Sequence, residues 1–159
     1  MSRLTAVLAG ATGLVGGGCL KRLLAWRRYA RVVAVARRPL ELGGRHRKLD
    51  TVIVEFDRLD EVAERLRGDH VFCALGTTIR KAGSQAHFRV VDHDYPLRLA
   101  QLTREQGAAH FSLVSALGAS RSSPFFYSRV KGETVLDIQR MGWPSLALFR
   151  PSVIAGDRG

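Results

Sequence analysis

The chain has 159 residues, which supports one domain, and its contents of 46% hydrophobic and 25% charged residues are those of a globular protein. Disorder, collagen and coiled coil are therefore excluded, and no apolar stretch approaches the ~20 residues that a membrane span needs. The net charge is +11, and ten basic residues with one acid, Glu41, lie between Lys21 and Lys48.

Short apolar runs rich in β-branched residues alternate along the chain with stretches of helical periodicity. Leu59, Val62 and Leu66 form one helical stripe, and a second runs from Phe88 to Leu102. This alternation predicts an α/β fold with a doubly wound parallel sheet, because each crossover places its helix on a face of the sheet. The predicted strands are Leu4–Ala9, Val32–Ala36, Thr51–Glu55, His70–Leu75, Phe111–Ser115 and Leu146–Arg150.

A glycine-rich turn follows the first predicted strand, where Gly10, Gly13 and Gly16 open a helix. The turn is tight, and a Cβ atom would keep its backbone away from a pyrophosphate at the helix N-terminus. Its place in the pattern predicts dinucleotide binding at the switch point of a sheet with strand order 3-2-1-4-5-6. The predicted cofactor contacts in the turn are Gly10, Thr12, Gly13, Leu14, Val15 and Gly16.

The end of the second strand distinguishes NAD from NADP, since an acid there holds the ribose 2′-hydroxyl of NAD and a basic residue accommodates the 2′-phosphate of NADP. Arg37 and Arg38 follow the strand, and no acid accompanies them. A guanidinium fork matches phosphate oxygens, so the predicted cofactor is NADP(H). The alternative is that both arginines are solvated. Asp57, after the third strand, is predicted either at the adenine amino group or as a helix cap.

The partners and the location follow from what the sequence lacks. The basic segment contains no RNA-recognition, zinc-finger or helix-turn-helix pattern, so a solvated face or a phosphate site is favoured over nucleic-acid binding. Cys19 and Cys73 are too few for a disulfide framework, no signal peptide is recognisable, and the five histidines are dispersed. We expect a soluble, reduced, cytoplasmic protein without a metal site or a membrane partner.

A second constellation lies further along the chain. Tyr127 and Lys131 are four residues apart and share one face of a predicted helix, and Ser115 ends a strand twelve residues upstream of Tyr127. A lysine charge beside a phenol favours the phenolate, which suits a tyrosine to act as an acid near neutral pH. The spacing of Tyr127 and Lys131 is common by chance, but it gains weight beside the strand-end serine and the glycine turn. No G-x-S-x-G pattern surrounds Ser115, which disfavours a hydrolase.

Taken together, these motifs resemble those of the short-chain dehydrogenase/reductase superfamily, in its atypical branch of Tat-interacting oxidoreductase-like proteins. The resemblance covers essentially the whole chain. It rests on the glycine turn and on the segments 73–78, 81–83, 91–95, 113–119, 127–133 and 149–151.

The resemblance implies a Rossmann fold, NADPH binding and a catalytic set of Ser115, Tyr127 and Lys131. Tyr127 would donate a proton to a carbonyl substrate that receives hydride, Ser115 would orient the oxygen, and Lys131 would bind the nicotinamide ribose and tune Tyr127. Asp92 resembles a position that supports the proton relay, although a helix cap or a salt bridge is equally plausible. Further cofactor contacts are implied at Leu75, Gly76, Thr77, Tyr127, Pro151 and Val153.

No linker or repeat interrupts the pattern, so residues 1–159 are expected to form a single NAD(P)-binding domain. Proteins of the resembled branch continue beyond the sixth strand with segments that cover the substrate, whereas this sequence ends in a loop over residues 154–159. We therefore expect a fold truncated after strand six. Two functions are consistent with the sequence: an NADPH-dependent reductase of a small molecule, and an NADPH-binding sensor that engages a protein partner and turns over little.

Overall fold

The sheet has six strands, all paired in parallel, in the computed structural model, which describes residues 3–156. Their order, β3-β2-β1-β4-β5-β6, confirms the predicted Rossmann arrangement. Of the loop predicted over 154–159, residues 157–159 lie outside the described residues. The strands are β1 Leu4–Ala9, β2 Tyr29–Ala36, β3 Leu49–Ile53, β4 His70–Cys73, β5 His110–Val114 and β6 Ser145–Phe149.

The helices follow the strands in alternation. No helix in residues 3–156 is both long and apolar enough to cross a membrane. The helical elements are α1 Leu14–Ala25, a 3-10 segment Phe56–Leu66, α2 Ile79–Ala82, α3 Gln85–Arg89, a π-turn Val90–Asp94, α4 Tyr95–Glu105 and α5 Phe126–Gln139.

Burial on both faces explains why β1 and β2 are almost wholly apolar. On one face Val7 and Val33 belong to a cluster completed by Leu99 of α4 and Ile138 of α5. The opposite face of the same strands packs against α1, with Leu20 of that helix in a second cluster. Strands that are covered on both faces lose the polar alternation of surface strands. The core therefore lies under the central strands and holds their carboxyl ends in place.

Only β1 has its predicted bounds. β4 ends two residues earlier than predicted, β5 and β6 are each shifted one residue towards the N-terminus, and the differences at β2 and β3 involve polar residues. β2 begins at Tyr29, three residues before the predicted start, and β3 is shifted two residues towards the N-terminus. Both starts include polar residues that apolar patterning passes over. Arg31 and Asp50 lie there, joined by an ion pair of 2.5 Å between Nη2 and Oδ2. A charged pair beside the amino edge of the sheet allows the ladder to extend beyond its apolar segment.

The stripe from Phe88 to Leu102 is not one regular α-helix. Its middle, Val90–Asp94, is a π-turn between α3 and α4. The wider turn leaves Asp92 and His93 buried, while Phe88 and Leu99 still face the core. A π-turn inside a helical run is frequently found at functional sites. In this chain it directs a carboxylate towards the helix that carries Tyr127.

Two histidines at the amino edge of the sheet predict how stability responds to acid. The rings of His70 and His110 are 5.4 Å apart, and their nitrogens bond to Tyr29, Ser112 and Ser145 at 2.7 to 2.8 Å. Burial lowers the pKa of both histidines below 6.5; Arg28 lowers that of His70 further, as His70 does for His110.

When the pKa of a histidine is lower in the folded chain than in the unfolded chain, the stability that it contributes is fully present above the unfolded pKa. This stability is lost as the pH falls from the unfolded pKa through the folded pKa. We therefore expect the thermal midpoint to decrease as the pH is lowered from about 7.5 to about 5.5, the range in which unfolded histidines take up protons. The fall should be smaller in His110→Gln and unchanged in His87→Gln, which alters an exposed histidine. Equal pH responses in all three proteins would contradict this assignment.

Candidate functional site

The glycine turn between β1 and α1 closes tightly against the end of β4. Gly10 has a φ of +89°, and a Cβ atom on it would lie 2.4 Å from the carbonyl oxygen of Ala74. A Cβ atom on Gly16 would lie 1.8 Å from the carbonyl oxygen of Gly10. The N-cap of α1 is Gly13, which provides no side-chain hydrogen bond to the first turn. The backbone N–H groups of that turn are thus directed at the cleft, as in helices that bind phosphate.

A cleft of about 600 Å³ opens at the carboxyl edge of the sheet, beside this turn. Ten of the residues singled out in the sequence line it: residues 12–15 of the turn, residues 75–77 after β4, and Ser115, Tyr127 and Lys131. Ligands of open α/β sheets bind at this edge, outside the carboxyl ends of the strands. The structure therefore brings the glycine turn and the Ser-Tyr-Lys set to one cavity.

Several residues that sequence reasoning did not single out as site residues also line the cleft. Lys81 belongs to the short helix α2, and Ile154 lies in the loop after β6. Ala74, Thr78 and Ile154 lie in loops, which have no hydrophobic period, and α2 has only four residues, so hydrophobic patterning does not select these positions. Their position after the carboxyl ends of strands is the signal that could have found them. The remaining additions are Ala74, Thr78 and Val114.

The predicted contacts at the adenosine end lie outside the lining of the cleft. Arg37 and Arg38 are exposed directly after β2, and Asp57 is exposed in the first turn of the 3-10 segment. The N-cap of that segment is Glu55, so the structure does not support Asp57 as the cap. Burial raises the pKa of Tyr95, and Asp57 raises it further while Arg37 lowers it. The contacts of Arg37, Arg38 and Asp57 with a cofactor stay predictions.

The segment after β6 reaches the cleft by a different residue from those expected. The carbonyl of Pro151 accepts a hydrogen bond of 3.0 Å from the backbone N–H of Leu117. Val153 is 84% exposed, and Ile154 lines the cleft in its place. The contacts of Pro151 and Val153 with a cofactor remain predictions.

Lys131 is buried between Asp92 and Tyr127. Its Nζ lies 2.5 Å from Oδ1 of Asp92 and 5.7 Å from the centroid of the Tyr127 ring. The other carboxylate oxygen of Asp92 accepts a hydrogen bond of 3.0 Å from the backbone N–H of Thr77. Burial raises the pKa of Asp92, while Lys131 and the N–H of Thr77 oppose that rise. Of the alternatives considered for Asp92, the structure shows the salt bridge.

Ser115 presents a buried hydroxyl beside this ion pair. The residue is 6% exposed, and its Oγ has no hydrogen-bond partner among the described residues. Asp92 and Lys131 line the same small recess. A buried polar atom without a partner costs free energy, which a polar group of a bound molecule would offset. Tyr127 lies at the mouth, 38% exposed, with its ring 5.4 Å from that of Phe88.

Cys73, at the end of β4, carries no thiolate chemistry. The residue is buried, and burial raises the pKa of its thiol to about 12. The thiolate is the nucleophilic form, so Cys73 acts as a small apolar side chain at neutral pH.

Comparisons with known proteins agree with this geometry. A family model described as NAD(P)H-binding matches residues 10–140. The chain is 38% identical to Protein HTATIP2 from Rattus norvegicus over 99% of its own length, and 35% identical over 96% of its length to "Protein FMP52, mitochondrial" from Meyerozyma guilliermondii. It spans 66% of the length of each of these relatives.

The fold is also that of a solved enzyme. The Bordetella bronchiseptica enzyme WbmH, whose structure is in complex with NAD+, superposes with a TM-score of 0.81 and 13% identity. The match covers 98% of this chain and 58% of WbmH. At that identity the likeness shows the fold alone.

Proposed function

Because this chain belongs to the NAD(P)H-binding family, we propose that it is an NADPH-dependent reductase of the short-chain type that acts on a carbonyl or a similar electrophile of a small molecule. One observation carries the proposal: Ser115, Tyr127 and Lys131 line the same cleft as the glycine turn. A cofactor site and a proton-donating set are both needed for hydride transfer to a carbonyl, and here they share one cavity.

The residues present fit a dinucleotide. The turn has no room for a Cβ atom at Gly10 or Gly16, and the first turn of α1 has no side-chain cap to occupy its N–H groups. These N–H groups would hold the pyrophosphate. The nicotinamide ring supplies hydride when the cofactor is bound.

The chain's own groups would handle the oxygen and the proton of the substrate. The unpartnered Oγ of Ser115 donates a hydrogen bond to the substrate oxygen, which orients it and favours the charge that develops there. Tyr127 donates a proton to that oxygen from the mouth of the cleft. Lys131, paired with Asp92, lies beside the Tyr127 ring and would bind the nicotinamide ribose when the cofactor is present.

Isotope transfer tests the proposed reaction directly. We expect that NADPH carrying deuterium on its reactive carbon, mixed with a panel of aldehydes and ketones, will yield an alcohol that retains the deuterium, as measured by mass spectrometry. The deuterium should be added to only one face of the carbonyl, because a protein site holds the substrate in one orientation. The labelled alcohol should therefore have a single configuration. NADPH binding in calorimetry without label transfer to any member of the panel would favour the alternative, an NADPH-binding sensor that engages a protein partner.

The cellular location of such a reductase is part of the proposal. We propose the cytoplasm, the location expected from the sequence, whereas the Meyerozyma guilliermondii relative is named as mitochondrial. Fluorescent tagging of the whole protein in its own cells would distinguish the two locations.

A further inference from the structure

Most of the basic segment of the sequence lies at the amino edge of the sheet, whereas Arg37 and Arg38 follow the carboxyl end of β2. α1 ends at Ala25, and β2 and β3 begin at Tyr29 and Leu49, so the connections that precede these strands meet at this edge. The cleft lies at the opposite, carboxyl edge. The basic surface therefore occupies the end of the molecule that the proposed chemistry does not use.

Lys48 holds the two connections together. Its Nζ donates hydrogen bonds to the carbonyl oxygens of Leu24 at 3.0 Å and Trp26 at 3.2 Å. The loop before β3 is thereby fixed against the end of α1. Charges that are separate in the sequence become one surface through this contact.

Few acids offset the charge of this surface. Asp50 already pairs with Arg31 at 2.5 Å and Arg65 at 3.2 Å, and Oδ2 of Asp69 accepts a hydrogen bond from the backbone N–H of Thr5. In residues 3–156 no carboxylate lies within 4.0 Å of the six cations that remain, all of them exposed. These six, which we call the basic surface, are Lys21, Arg22, Arg27, Arg28, Arg45 and Arg47.

An exposed tryptophan lies among these cations. Trp26 is 54% exposed, and the Cζ of Arg28 lies 6.0 Å from the centroid of its ring. Tryptophan favours the interface between a membrane and water, where its ring contacts the acyl boundary and its N–H meets the headgroups. Binding of a single nucleic-acid strand uses successive stacking platforms, whereas the neighbouring Tyr29 is buried.

Against the expectation from the sequence that the protein has no membrane partner, we propose that the basic surface binds the anionic phospholipid headgroups of a membrane surface, with Trp26 in the interface. Clusters of four to eight Lys and Arg residues are typical of binding to anionic lipids, and the six cations fall in that range. Binding at the surface needs no spanning helix, so it is compatible with the length of the helices described above. The cleft, at the opposite edge, would face the water. The inference does not depend on the proposed reductase activity.

Cosedimentation with lipid vesicles tests this inference. We expect the protein to bind vesicles of phosphatidylcholine and phosphatidylserine in a ratio of roughly two to one, and not vesicles of phosphatidylcholine alone. Raising the salt concentration from about 0.1 M to about 0.5 M should weaken binding, since exposed charges are screened. Each cation near an anionic surface contributes about fivefold in affinity, so the double variant Arg27→Glu and Arg47→Glu should bind at least tenfold more weakly.

The matched control changes the same charge elsewhere. Arg121 and Arg140 are exposed outside the basic surface, and Arg121→Glu with Arg140→Glu should retain the affinity of the unaltered protein. Trp26→Ala should weaken binding several-fold. Equal losses in the two double variants would overturn the proposal, because binding would then follow net charge. Tighter binding to polyuridylate than to the vesicles at the same salt would overturn it in favour of nucleic acid.

Discussion

Replacing Tyr127 by Phe is expected to lower NADPH-dependent turnover by about 10²–10⁴-fold, the usual contribution of a positioned general acid. The change removes one hydroxyl and keeps the ring, whose centroid lies 5.4 Å from that of Phe88. The packing of α5 and the glycine turn should therefore be unaltered. The dissociation constant for NADPH should change little, since the pyrophosphate and the adenosine would bind elsewhere. Turnover is measured with a substrate from the carbonyl panel, and affinity by calorimetry.

Tyr29→Phe is the matched control for this variant. It also removes one phenolic hydroxyl, but from a buried tyrosine that bonds to His70 at the amino edge of the sheet. We expect lower thermal stability with turnover close to that of the unaltered protein. Unchanged turnover in Tyr127→Phe would remove the general acid from the proposed mechanism and favour the sensor. A comparable loss of turnover in both variants would instead indicate a general effect on the fold.

The order of the sheet could be predicted because it depends on local patterns. The alternation of apolar runs with helical stripes and the glycine turn after β1 are both legible in the sequence, and β1 has the predicted boundaries. The resemblance to the Tat-interacting oxidoreductase-like branch is confirmed by the identity to Protein HTATIP2 of Rattus norvegicus. These features depend on residues close to one another in the chain, or on motifs long enough to be specific.

A salt bridge was one of the alternatives for Asp92, but its partner Lys131 could not be predicted, because the pairing depends on one extra residue in a helical turn. Apolar positions from Phe88 to Leu102 fit a helix whether or not a π-turn interrupts it. The turn leaves Asp92 buried against Lys131, 39 positions further along the chain. The sequence likewise left undecided whether Asp57 caps a helix or lies at the adenine amino group. Whether a carboxylate caps a helix depends on where the first turn begins, and here the N-cap is Glu55.

The net charge of the basic segment could also be predicted from the sequence, whereas the positions of its charges in the folded protein could not. Composition counts Arg31 and Lys48 with the other cations. In the structure Arg31 pairs with Asp50, and Lys48 donates to backbone carbonyls of the α1 end. The structure also separates Arg37 and Arg38, which follow the carboxyl end of β2, from the basic surface at the amino edge. One run of sequence thus contributes to two opposite ends of the molecule.

Replacing Arg37 by Asp is expected to reverse the choice of cofactor. The 2′-phosphate of NADPH carries close to two negative charges, and a charge-assisted hydrogen bond to it contributes roughly 1.5–3 kcal/mol. Loss of that bond should weaken NADPH binding by about tenfold or more. The new carboxylate would repel the phosphate and accept a hydrogen bond from the 2′-hydroxyl of NADH. Calorimetric titration of both nucleotides against both proteins measures the change.

The position of Arg37 makes it the first choice over Arg38. It directly follows the carboxyl end of β2, where the ribose of a dinucleotide binds in this fold. We expect Arg38→Asp to have a smaller effect and Arg121→Asp, an equal charge change at an exposed position outside the site, to have none. Equal affinities for NADPH and NADH in the unaltered protein, or a preference that survives Arg37→Asp, would identify both arginines as solvated charges. In that case the two arginines would no longer support the choice of NADPH over NADH.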